Sequence, residues 1–223
     1  MFGSGALGGS VLLTSSARVS KSLLLIQEAG SFGKLCSAVR AGMDKDKWEL
    51  LTTAYRHGAE NNFPVSGTGQ RQDHASYLQQ GITQDVIFNL TPAQSISAHY
   101  WLHDADRQIQ PTIGQRNSQD EQQDRNHRLL IQYKNSGSLQ AFAGTAGFVS
   151  DMIVFNGNKS EVRRWVGKAQ YQKVLSQGMW IQLTGDWNHI TGFVQNYSSG
   201  KAEEDRSDIA ASFQKDFTDQ LSL

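Results

Sequence analysis

Five turn-forming clusters punctuate this chain at nearly even intervals, each flanked by segments in which apolar and polar residues alternate. They are MDKDK around Asp44, LTPAQS around Pro92, NSGS around Gly137, SQG around Gly178 and DFTDQ around Asp219, roughly 40 to 48 residues apart. Each interval holds two strands and one further connection. Those connections are polar and fall at 61–74, 104–125, 155–161 and 196–206. Short turns at one end and long loops at the other predict an all-β, antiparallel, up-and-down transmembrane β-barrel.

The alternation has period two. Ile82, Val86, Phe88 and Leu90 share one face of their segment, while Thr83, Asp85 and Asn89 share the other. Ile96, Ala98, Tyr100 and Leu102 alternate with Ser97, His99, Trp101 and His103. The pattern returns in Leu129, Ile131 and Tyr133, in Ile181, Leu183 and Trp187, and in Ile209, Ala211 and Phe213. Side chains on a strand point to opposite faces in turn, so each segment has an apolar and a polar stripe. Aspartate, arginine and glutamine deep in a strand must meet water or a polar filling, because burying them unpaired costs several kcal/mol. Tyr100, Tyr133, Trp165, Tyr171 and Trp187 lie on the apolar stripes, where aromatic girdles form at a bilayer interface. About ten strands are predicted, near 19–28, 35–43, 47–58, 78–90, 95–104, 126–134, 139–153, 162–175, 179–194 and 205–215. These exceed the usual five or six residues of globular strands. They match the nine to eleven needed for a tilted span.

Composition narrows the function classes. Only 38% of the residues are hydrophobic, and the longest aliphatic run, Leu23 to Ile26, is far too short for a spanning helix. A barrel strand shows lipid only every second residue, so low hydropathy is compatible with a membrane protein. Acidic and basic residues balance at 21 each, which argues against nucleic acid as a partner. The one cysteine, Cys36, excludes an internal disulfide. No signal-peptide pattern opens the sequence. His99 and His103 share a strand face about 13 Å apart, too far to hold one metal ion. Ser, His and Asp are plentiful without a nucleophile signature, so no catalytic residue, cofactor or metal is expected. Asp85 and Asp186 read as wall carboxylates, solvated or paired with Arg128 and Arg164.

Gly3, Gly5 and Gly8 stand in GxGxxG spacing, but a dinucleotide loop needs a strand before it and a helix after it. A short strand, Ser10 to Thr14, follows instead. The stretch with Gly3, Gly5, Gly8 and Gly9 resembles the end of the plug domain of TonB-dependent outer-membrane receptors, where a GSGAxGG turn precedes the last plug strand. Gly30-Ser31-Phe32-Gly33 is similar to the GSFG turn at that family's first extracellular loop. Asp104 to Ile109 with Pro111-Thr112, and Tyr197 to Gly200 before Glu203, Glu204 and Asp205, resemble its later loops in the same order.

The resemblance implies that residues 1–16 are the end of a plug and 17–223 the first ten or so strands of a 22-stranded barrel, without the TonB box. On that reading the isolated chain is a partial barrel or open curved sheet with two unpaired edges. It also implies outer-membrane lipid, a small-molecule ligand such as an iron-siderophore complex or cobalamin, and TonB as partners of a full-length receptor. Ligand contacts are expected on the loops: Arg71, His74 and Tyr77 in the second, and Arg107, Gln108, Pro111 and Arg116 in the third. Arginines there suit anionic groups through bidentate hydrogen bonds. The competing reading is a soluble all-β binding or adhesin module, whose apolar stripes would pack against one another.

Overall fold

The structure, a computed structural model, describes residues 21–111, 119–196, 200–218 and 221–222. Its strands are β1 (Ser22–Ala29), β2 (Leu35–Lys45), β3 (Trp48–Ala59), β4 (Pro64–Val65), β5 (Gln70–Arg71), β6 (Tyr77–Thr91), β7 (Gln94–Gln108), β8 (Glu121–Ser136), β9 (Gln140–Phe155), β10 (Asn158–Ser176), β11 (Met179–Val194), β12 (Lys201–Thr218) and β13 (Leu221–Ser222). All but β4 and β5 join one antiparallel sheet in chain order, an up-and-down meander. Among the described residues the sheet does not close on itself: β1 pairs only with β2, and β12 only with β11 and the two residues of β13. The ten long strands correspond to the ten expected from the alternation. The expected plug end lies outside the described residues.

Register carries the two stripes across the whole sheet. Phe88 stands between Trp48 on β3 and Ile96 on β7. Leu129, Phe148 and Trp165 form another row across β8, β9 and β10. Ring pairs tie these rows together, with centroids 4.4 Å apart for Trp48 and Phe88 and 4.5 Å for Phe148 and Trp165. Cross-strand aromatic pairs of this kind contribute roughly 0.2–1 kcal/mol each. Because a one-residue slip would turn every apolar residue to the polar face, the pattern fixes the register.

Among the described residues no second layer of long strands or helices covers either face. Each long strand described pairs only with its neighbours in the sheet, and the buried hydrophobic residues among those described are Ala75 and Ala105. Large apolar side chains therefore stand open, including Trp165 at 51%, Leu183 at 48% and Ile209 at 90% relative exposure. A continuous patch of this kind marks an interaction or membrane surface. The polar face also carries some apolar residues, among them Leu24, Ile26 and Ile153.

Three predicted connections are shorter than expected, that at 196–206 because β12 already pairs with β11 from Phe193↔Lys201. Residues 155–161 are not a long loop: Phe155 already pairs with Asn158, and Asn156 and Gly157 turn the chain with φ of 48° and 78°. Asn-Gly tolerates positive φ at both central positions, the geometry that matches strand twist in a two-residue hairpin. In 104–125 only residues 109–120 connect strands, because β7 and β8 stay paired from Asp104↔Arg125 to Gln108↔Glu121. The Arg125 to Asp104 ion pair, 3.0 Å, supplies a polar cross-strand contact there. The GSFG turn is present, with Phe32 and Gly33 at φ of 59° and 72° and Gly30 N donating to Lys34 O at 2.9 Å.

Candidate functional site at the loop end of the polar face

The connection from β3 to β6 folds back over the strand ends and creates the most buried part of the described structure. Its tip is the β4–β5 hairpin, which turns through Gly67 and Gly69 at φ of 78° and 66°. At its base, Asn61 N donates to Phe32 O at 3.1 Å, and Phe63 meets Phe32 edge to face at 6.0 Å. On the far side Ser76 N donates to Gln108 Oε1 at 3.2 Å, and Gln108 N donates to Ser76 O at 2.9 Å. His74 Nε2 donates to the Asp120 carbonyl at 2.8 Å, since a carbonyl can only accept. Of the five buried residues among those described, Gln72, Ala75, Ala105 and Asp124 belong to this corner, and Gly147 lies in the middle of β9.

Between the connection and the polar face lies a cleft of about 390 Å³, lined by His57, Asn61, Ala75, Tyr77, Gln79, Arg107, Gln108 and Gln110. The pairings put His57, Gln79 and Ala105 in one row and Tyr77 with Arg107 in the next. Tyr77 Oη and His57 Nε2 are 2.9 Å apart. Gln110 Nε2 donates to Gln72 Oε1 at 3.1 Å. Arg107 Nη2 donates to Asp124 Oδ2, and Gln122 Nε2 donates to Asp124 Oδ1 at 2.8 Å. The Asp124 carboxylate is only 10% exposed, so its charge is held by this arginine.

Three of the expected ligand residues, Tyr77, Arg107 and Gln108, meet in this cleft. They sit on strands, not loops: Tyr77 opens β6, while Arg107 and Gln108 close β7, because strand pairing continues beyond the apolar band. Arg71 is not among the lining residues and donates to Asn62 Oδ1 at 3.5 Å. His74 and Pro111 lie outside the lining, with His74 committed to Asp120. Arg116 and the glycines Gly3, Gly5, Gly8 and Gly9 are outside the described residues. Sequence reasoning missed Asp124, Gln79 and Gln110, whose placement depends on cross-strand register.

Lower on the polar face the carboxylates have side-chain partners, though not the expected ones. Asp85 lies 2.7 Å from His99 Nδ1, Asp186 lies 3.3 Å from Lys168, and Arg128 meets Asp151 at 3.7 Å while covering the Trp101 ring at 4.5 Å. These partners are direct or diagonal neighbours in the register, which brings them closer than Arg164. On the opposite face His189 Nδ1 is 2.9 Å from Asp205 and its Nε2 3.8 Å from Glu203. Its two ring nitrogens serve different carboxylates, and Lys201 lies 3.0 Å from Glu203, so the group reads as an exposed ion-pair network.

Neither protein families nor curated proteins match this sequence.

Proposed function

We propose that this sheet is part of the wall of an outer-membrane β-barrel, a portion of a TonB-dependent receptor whose loop end captures a small ligand. The observation that carries the reading is the segregation of faces without a second layer. Apolar and aromatic rows cover one side of ten long strands, and no other element packs against them among the described residues. A soluble sandwich needs such rows to meet across two packed sheets about 10 Å apart, an arrangement absent among the described residues. Hydrocarbon is an environment that accepts the stripe. Strands of 15 to 19 residues, such as β6 and β10, also outrun a bilayer span and leave polar ends for loops and ligand. The likeness of the GSFG turn and the loop order to this receptor family supplies the transport role, with TonB as the energy-transmitting partner of the full receptor.

Tryptophan quenching tests the orientation. In vesicles of lipid with brominated acyl chains, a variant retaining only Trp187, on the apolar face, is expected to be quenched strongly. One retaining only Trp101, on the polar face, is expected to be quenched weakly. Equal quenching would reject the lipid-facing assignment.

A further inference from the structure

We infer that the loop-end cleft takes an uncharged ligand rich in hydroxyl or amide groups, as a neutral saccharide is, and not an anion. This rests on the reading of the cleft as the ligand-capturing end of the protein. The sequence places arginines near the site, which alone favours an anion. The structure removes both described ones from that role. Arg107 is spent on the buried Asp124 carboxylate, and Arg71 is turned toward Asn62 outside the lining. Among the described residues, no other lysine or arginine lines the cleft.

What remains are groups that both donate and accept. Gln79 and the side chain of Asn61 have no hydrogen-bond partner among the described residues. Gln108 uses its Oε1 for Ser76 N, which leaves its Nε2 as a donor, and Gln110 uses its Nε2 for Gln72, which leaves its Oε1 as an acceptor. A side-chain amide offers two donors beside a carbonyl acceptor, a set that matches hydroxyl groups, which also do both. Tyr77, held by His57, adds a ring with an apolar face and a polar tip.

The test uses the full chain, folded in detergent and labelled, on an immobilised set of oligosaccharides in neutral, carboxylated and sulfated forms of the same backbones. Retention of neutral members is expected, with affinity that changes less than about twofold between low and high salt. The Arg71→Gln variant, outside the lining, is expected to keep that affinity within about threefold. The Gln79→Leu/Gln108→Leu double variant is expected to lose about tenfold or more, equivalent to about 1.4 kcal/mol. Preference for the carboxylated or sulfated forms, with affinity that falls as salt rises, overturns the ligand class and leaves the capture site standing. Undiminished binding by the Gln79/Gln108 variant, or no binding by the unmodified chain, overturns the site itself.

Discussion

Tyr55 lies across Gly81 and places its hydroxyl 2.7 Å from Nδ1 of His103, two strands away on the polar face. A β-carbon on Gly81 would sit 2.7 Å from that hydroxyl and 2.6 Å from the Leu102 carbonyl oxygen. The glycine therefore provides the channel through which the tyrosine reaches its partner. A ring laid over a strand glycine also covers backbone that the missing side chain leaves bare.

Gly81→Ala is expected to destabilise the folded protein by about 1–3 kcal/mol, because the backbone carbonyl cannot move aside and the Tyr55 ring must. The urea midpoint in detergent measures it. Combining it with Tyr55→Ala is expected to cost less than the two single effects together, since the ring is then gone. Strict additivity would show that the crossing contributes nothing.

Leu183→Arg and Gln182→Arg are adjacent changes on opposite faces of β11. The first is expected to reduce folding into vesicles by about 2–4 kcal/mol, the cost of a lipid-facing arginine near the bilayer midplane. The second is expected to fold nearly as well as the unmodified chain. Comparable losses for both would contradict the assignment of faces.

Arg107→Gln leaves the Asp124 carboxylate mostly buried with only Gln122 to donate to it. A stranded group of this kind costs about 1–3 kcal/mol. Adding Asp124→Asn is expected to restore most of that stability, because the pair matters chiefly as mutual neutralisation. Thermal unfolding of the three variants distinguishes this from independent packing roles.

At the β9–β10 turn, Gly157→Ala is expected to cost about 1–2 kcal/mol, the penalty for a β-carbon in left-handed backbone. Asn156→Ala removes two further contacts, from Glu121 N to Asn156 Oδ1 at 2.8 Å and from Asn156 Nδ2 to Asp120 at 2.7 Å. Faster hydrogen exchange at the adjoining ends of β8, β9 and β10 is the expected readout. Unchanged protection would mean the turn is not a clamp.

The sequence by itself determined the strands, their order and their two faces. Period-two alternation is a local property, and turn residues such as Asn156-Gly157 act within a few positions of themselves. Even so, the alternation did not reveal how far β7 and β8 extend past Leu102, because polar residues there read equally well as loop or strand. Tertiary structure decided the site. Whether Arg107 is available to a ligand depends on Asp124 lying diagonally across from it in the register, 17 residues along the chain. Likewise, the burial of Gln72 and Ala75 follows from a long connection folding over strands that pair far apart in sequence. Charge and burial at a strand end belong to neighbours that only pairing selects, so they cannot be read from a segment alone.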